Sequence, residues 1–183
     1  SRELLLMVQR NARALQQLVS SILDFRKIQN GKMNLTLSRF DIREALAVWT
    51  GDFRLTAERK HIHIQLDMAS FTGDSEVVAD KEKVARIIYN LLSNALKYTP
   101  PGGSIFVVLS DAQEEKAIPG KLMRIDVRDT GKGIGREEAP HVFERFFQAR
   151  GAASGTGIGL ALVKSFVDLH HGEARGESEP GHG

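Results

Sequence analysis

The densest pattern of apolar and polar positions lies between Val84 and Pro100, in the run VARIIYNLLSNALKYTP. At about 100° per residue, with Asn90 set at 0°, Asn94 falls near 40° and Lys97 near 340°. Val84, Ile88, Leu91, Leu92 and Ala95 gather on the other side, roughly between 100° and 200°. The spacing predicts a helix capped by Asp80 and broken by Pro100-Pro101-Gly102-Gly103. One of its faces is built for a core; the opposite one carries two amides and an ammonium.

Glu3 to Asn30 contains no proline or glycine, and Val8, Leu15 and Ile22 recur every seven residues. Leu4, Asn11, Leu18 and Phe25 repeat with the same period, offset by three or four. This predicts one long helix stopped at Gly31, with an apolar seam that needs partners from a bundle or a dimer. Asp41 and Glu44 have the spacing of a capping box, opening a helix that reaches about Arg59. His61 to Met68 alternates as a half-buried strand, with Ile62, Ile64, Leu66 and Met68 on one face. Further strands are expected at Glu76 to Ala79, Ile105 to Leu109, Leu122 to Asp129 and Glu173 to Glu177. A polar loop through Pro119-Gly120 joins the third and fourth of these five strands, and a helix is expected from Leu160 to Leu169. Such a mixture predicts an α+β sandwich, one sheet with helices on one face.

Composition narrows the function mainly by exclusion. Lysine and arginine total 25 against 23 acidic residues, a formal charge of +2, too balanced for bulk binding to nucleic acid. With no cysteine, disulfides and thiolate metal sites are excluded. No apolar run approaches a membrane span, so no direct membrane contact is expected. A first residue other than methionine, leading straight into helical pattern, reads as a cytoplasmic piece of something longer.

The polar stripe carries chemistry. Amide oxygens suit a hard cation such as Mg²⁺, while amide NH₂ groups and lysine suit phosphate. Asparagines and a lysine on a helix are also common as plain solvated groups. Two glycine clusters strengthen the ligand reading. DTGKGIG, residues 129–135, comes after a strand, where glycine lets the backbone approach a ligand and Asp129 can accept from an exocyclic amine. GTGIGLAL, residues 155–162, leads into a helix whose free N–H groups form an anion site. Neither dinucleotide nor Walker spacing is present. Between them lies HVFERFFQ, residues 141–148, with Phe143, Phe146 and Phe147 to dock a mobile lid and Arg145 to reach a terminal phosphate.

In order and spacing, N-x-x-x-N, D-x-G-x-G, F-E-R-F-F and G-x-G-x-G-L resemble the N, G1, F and G2 boxes of sensor histidine kinases. The resemblance spans essentially the whole chain. It implies the Bergerat ATP-binding sandwich, a mixed sheet with helices on one face, preceded by one long bundle helix. Residues 1–34 resemble the second helix of a dimerisation and phosphotransfer hairpin, as in hybrid two-component sensors. Residues 35–183 resemble the catalytic ATP-binding domain, short of its last strand.

That resemblance implies ATP and Mg²⁺ as ligands. Asn90 would hold Mg²⁺; Asn94, Lys97 and Tyr98 would face phosphates and ribose; Arg145 would assist at the terminal phosphate. Asp129 would select adenine, with Gly131 and Gly133 shaping its loop. Gly155, Thr156, Gly157, Gly159 and Leu160 belong to the hinge of the ATP lid. Partners implied are a second copy, through the first helix, and a response-regulator receiver domain, with location on the cytoplasmic side of a membrane-anchored sensor.

Hydrolytic members of that superfamily place a glutamate one turn before the metal-binding asparagine, where this chain has Arg86. Transfer is therefore expected over hydrolysis. His61, His63, His141, His170, His171 and His182 lack the acceptor's context and read as structural or solvated, which puts the acceptor histidine upstream. Two alternatives remain: a degenerate docking module without catalysis, and a serine kinase of the anti-sigma type.

Overall fold

The computed structural model describes residues 2–112, 123–149 and 156–183. The heptad run forms α1 (Arg2–Gln29), a helix of 28 residues. It ends in a Schellman motif: the Lys32 N–H donates to Lys27 O (2.8 Å), and the Gly31 N–H to Ile28 O (3.0 Å). Gly31 takes φ +62°, a conformation that disfavours any side chain.

Strand β1 (Ser38–Asp41) comes next. The alternation pattern does not reveal it, because only Phe40 in its four residues is an apolar core residue. It pairs antiparallel with β3 (Glu76–Ala79) in a two-stranded sheet of its own. Asp41 then caps α2 (Ile42–Gly51), accepting from the Glu44 N–H at 2.9 Å.

The single helix expected to run to Arg59 is instead two, α2 and α3 (Arg54–Arg59). The break at Asp52-Phe53 has a tertiary cause. The Tyr89 hydroxyl donates to the Asp52 carboxylate, and the Phe53 ring packs on the Tyr89 ring at 5.4 Å. That hydrogen bond pushes the Tyr89 hydroxyl up to about 12.

β2 (His63–Asp67), β4 (Ser104–Asp111) and β5 (Met123–Asp129) form a mixed sheet in the order β2-β4-β5. β2 runs parallel to β4, and β5 antiparallel to it. The inward residues Ile105, Val107 and Leu109 are fully buried. They share one core with Ile42, Leu46 and Trp49 of α2, Ala57 of α3, and Ile88 and Leu92 of the asparagine helix α4 (Lys81–Tyr98). Helices thus cover one face of the mixed sheet, while Arg124 and Arg128 line the other, exposed face.

A second, smaller core joins Phe25 of α1 to Ile158 and to Ala161, Leu162 and Phe166 of α5 (Gly159–Leu169). The strand expected at Glu173 to Glu177 does not form. Glu173, Arg175 and Glu177 alternate there with Ala174 and Gly176, so the inward side offers one methyl group for burial. The loop through Pro119-Gly120 and the residue Leu122 lie outside the described residues.

Candidate functional site: the polar face of α4 between two glycine loops

α4 begins at Asp80, whose carboxylate accepts from the Lys83 N–H (3.1 Å) and the Lys83 ammonium (2.6 Å). Its core face is Val84, Ile88, Leu92, Ala95 and Leu96, all buried. Leu91, at the margin of the predicted apolar arc, is only half-buried, and Leu96 takes its place. Asn90, Asn94, Lys97 and Tyr98 are half-buried on the remaining surface.

The orientation of Asn90 is fixed. Its Nδ2 donates to Arg86 O at 2.9 Å, which turns Oδ1 toward α5. A Cβ placed on Gly159 would lie 3.1 Å from that oxygen. Gly157, at φ +66°, is tighter still: a Cβ there would meet the Phe146 backbone at 2.6 Å. Among the described residues no side chain caps α5 at Ile158, which makes its first N–H groups a candidate anion site.

At the other end of α4, the DTGKGIG loop closes against Tyr98. Asp129 Oδ1 accepts from the Gly131 N–H at 2.9 Å. A Cβ on Gly131 would lie 2.7 Å from the Tyr98 carbonyl oxygen. Gly133 takes φ +67°, and a Cβ there would reach 2.0 Å from Glu179 O. Ser178 secures the loop from behind, accepting from the Ile134 N–H at 2.8 Å. Burial pushes the Asp129 carboxyl up, and the Gly131 N–H offsets this only in part.

One helix therefore meets one glycine loop at Asn90 and the other at Tyr98. Eight residues separate these two contacts, about 12 Å along the axis, the length scale of a nucleoside triphosphate. Asn90 Oδ1 is a hard oxygen donor suited to Mg²⁺. The cradle at Gly157 and Gly159, which a Cβ would fill, suits a phosphate chain.

Not every expected residue lies on this stripe. The Arg145 guanidinium sits 4.9 Å from the Phe25 ring centroid on α1, and Phe146 is 69% exposed with φ +61°. Thr156 is exposed and Leu160 half-buried at the start of α5; Gly155 lies outside the described residues. Arg86 is held by Asp24 of α1 and lies 5.0 Å from the Phe166 ring centroid. Long-range contacts of this kind leave no local signal in a sequence. Two further residues carry no mark in the sequence pattern: Ser178, and Lys132, which there is a mere spacer between glycines. Lys97 and Lys132 both lie over the Tyr98 ring, at 4.7 and 5.4 Å.

Residues 79–183 match the family described as histidine kinase-, DNA gyrase B- and HSP90-like ATPase. Among curated relatives, the chain is 39% identical over 180 residues to the sensor histidine kinase TmoS of Ectopseudomonas mendocina, covering 96% of this chain and 18% of that protein. It is 37% identical over 171 residues to hybrid signal transduction histidine kinase D of Dictyostelium discoideum, covering 90% of this chain and 11% of that protein. The chain thus spans less than a fifth of the length of these two relatives. Among solved structures, full-length ShkA in complex with AMPPNP superposes with a TM-score of 0.76 at 25% identity, over 97% of this chain and 36% of that one. The histidine kinase AdeS of Acinetobacter baumannii shares the fold, with a TM-score of 0.72 at 18% identity, over 92% of this chain and 74% of that one. The ordered boxes, the mixed sheet and the family match agree: this chain belongs to the histidine kinase-, DNA gyrase B- and HSP90-like ATPases, as the catalytic ATP-binding domain of a sensor histidine kinase.

Proposed function

We propose that the polar face of α4 holds Mg·ATP for transfer of its γ-phosphoryl group to a histidine on a helix preceding α1. In this reading residues 1–34 are the second helix of the dimerisation and phosphotransfer hairpin, and residues 35–183 the catalytic domain. Asn94, Lys97 and Tyr98 line the phosphates and ribose, and Asp129 accepts from the adenine amine. Gly131 and Gly133 shape the adenine loop. Gly155, Thr156, Gly157, Gly159 and Leu160 surround the phosphates, and Arg145 joins them on leaving Phe25. Mg²⁺, held at Asn90 Oδ1, would neutralise phosphate charge.

The acceptor imidazole nitrogen forms a bond to the γ-phosphorus as the bond to the bridging oxygen breaks. ADP then leaves with the electron pair, and the imidazole loses its proton to solvent. What this chain contributes is positioning and charge, the main needs of phosphoryl transfer. One turn before Asn90 stands no carboxylate but Arg86, engaged with Asp24, so no base is at hand there to activate water. The chain's own histidines do not fit the acceptor role: His170, for example, bonds Phe166 O and the Asp80 N–H. Passage of the phosphoryl group to a receiver-domain aspartate, dimerisation through α1 and a location on the cytoplasmic side of a membrane complete the proposal.

The observation that carries the reading is the placement of one glycine loop at each end of the α4 polar face. Titration calorimetry with Mg·ATP tests it. Wild-type chain should release heat, and Asn90→Ala and Asp129→Ala should each abolish it; unchanged heat in both variants would sink the proposal. Purified chain incubated with Mg·ATP should carry no acid-labile phosphohistidine.

A further inference from the structure

We propose that Ser178 is a positioning residue for base recognition: its hydroxyl ties both ends of the adenine loop to one turn, residues 178–183. The proposal rests on the Mg·ATP reading and deepens it by naming what holds Asp129 where the base is read.

The loop from Asp129 to Ile134 is held on its first side by β4. There the Thr130 N–H donates to Ser104 O (3.0 Å) and the Ser104 N–H to Thr130 Oγ1 (2.9 Å). Gly131 then rests on the Tyr98 carbonyl. Beyond it the backbone is met by a different part of the chain. The Gly181 N–H donates to Lys132 O at 2.7 Å, Gly133 packs on Glu179 O, and the Ile134 N–H donates to Ser178 Oγ at 2.8 Å.

The same turn reaches back to the start of the loop. Gly183 packs so closely on Asp129 that an added Cβ would stand 1.8 Å from the Asp129 carbonyl oxygen. While accepting from Ile134, Ser178 Oγ donates to Gly183 O at 2.7 Å, and the Glu179 N–H donates to that same oxygen at 2.9 Å. One half-buried hydroxyl thus joins the residue packed on Asp129 to the residue that ends the loop, 44 positions away from it in sequence. The task needs a donor and an acceptor on one atom, which serine and threonine have and alanine lacks.

Asp129 Oδ1 takes the Gly131 N–H, so the orientation of the carboxylate follows the loop backbone. The adenine amine is a donor to it; the carbonyl oxygen of hypoxanthine at the same place is an acceptor and is repelled. That discrimination depends on distance and direction, and a misplacement of about 1 Å forfeits most of it. A turn that only stabilised the fold would make a different prediction. Its loss would lower the competent fraction, and with it the affinity for every nucleotide alike.

The experiment titrates wild type, Ser178→Ala and Ser178→Thr calorimetrically with Mg·ATP and with Mg·ITP, the inosine counterpart, alongside thermal denaturation. Wild type should prefer ATP. Ser178→Ala should bind Mg·ATP roughly three- to tenfold more weakly but Mg·ITP about as well as wild type does, so that the preference for adenine narrows. Ser178→Thr should recover most of it. Gly181→Ala strains the turn at φ +83°, where an added Cβ meets nothing within 4 Å, and leaves the Ser178 hydroxyl in place. It should narrow the preference in the same direction, and it decides the matter if Ser178→Ala does not fold. Equal losses for the two nucleotides in Ser178→Ala would overturn the proposal, as would a loss that only tracks a lower melting temperature. Absence of Mg·ATP binding by wild type would remove the Mg·ATP reading, and this proposal with it. A wild-type preference for ATP that Ser178→Ala and Gly181→Ala both keep would remove this proposal alone.

Discussion

At the scale of single residues, Asp129 shows a conflict between stability and binding. Burial pushes its carboxyl above the ordinary aspartate value of 3.8, and one N–H, from Gly131, offsets part of that. The folded state therefore holds the proton more firmly than the unfolded chain does. Below pH 3.8 the group is protonated in both states and costs nothing; above its folded value the buried charge weakens the fold. Asp129→Asn should accordingly raise the melting temperature at pH 7, an advantage that fades as pH falls through the folded value and is gone below 3.8. The amide keeps an oxygen for the Gly131 N–H. Affinity for Mg·ATP should nevertheless drop, since the adenine amine loses a charged acceptor. Thermal denaturation across pH, with and without Mg·ATP, checks both halves. A lower melting temperature at pH 7 would show that the charge is satisfied by contacts beyond Gly131.

At the scale of elements, the N-terminus of α4 is a junction of three segments. The Asp80 carboxylate takes the Thr36 N–H at 2.8 Å from the chain after α1, and the Lys83 N–H from α4. The Asp80 N–H donates to His170 Nε2 at 3.1 Å, and His170 Nδ1 then donates to Phe166 O at 2.7 Å, which ties in α5. Burial alone would raise the Asp80 carboxyl, but the Lys83 ammonium and the two N–H groups outweigh it and lower it. Stability from this group is thus present above pH 3.8 and lost as pH falls through the lower folded value. Asp80→Ala should cost about 1–3 kcal/mol at pH 7, a lost cap plus an orphaned N–H. The variant should also show a shallower loss of stability in acid. Urea denaturation at pH 7 and pH 3 measures both, and equal losses at the two pH values would contradict the assignment. The cap was legible in the sequence because it is local: Asp80 precedes an apolar period of 3.6. The His170 bond, across 90 residues, was not. The same distinction explains the rest. α1, β2 and α4 carry their periods within themselves, whereas β1 depends on β3 and the α2–α3 break on Tyr89.

For the whole molecule, the order of the boxes made the fold and the two ends of the site readable, because each box brings its own glycines or amides. What could not be read was how α1 holds on. It does so through buried Phe25, the Asp24–Arg86 pair and the Arg145–Phe25 stack, all near its C-terminal end. Leu4 (59% exposed), Val8 (58%), Leu15 (61%) and Ile22 (40%) are left uncovered along the heptad seam. An apolar stripe of that length at period seven is the pattern that a second helix covers by knobs-into-holes packing. The catalytic unit has its own core, built without these side chains. Association and nucleotide binding should therefore separate. Sedimentation should find the wild-type chain self-associating at concentrations on the order of 100 μM, a weak affinity suited to one helix per chain. Val8→Lys combined with Leu15→Lys should weaken that association more than tenfold, because a charge at a seam position must be desolvated. The same double variant should bind Mg·ATP as wild type does, since both side chains are exposed and lie outside the set, Leu18, Asp24, Phe25 and Ile28, by which α1 packs on the rest of the chain among the described residues. A wild-type chain that stays monomeric would mean that α1 alone is insufficient as the dimer contact. A double variant that loses ATP binding would instead mean that α1 reaches the site through more than its Leu18 to Ile28 end.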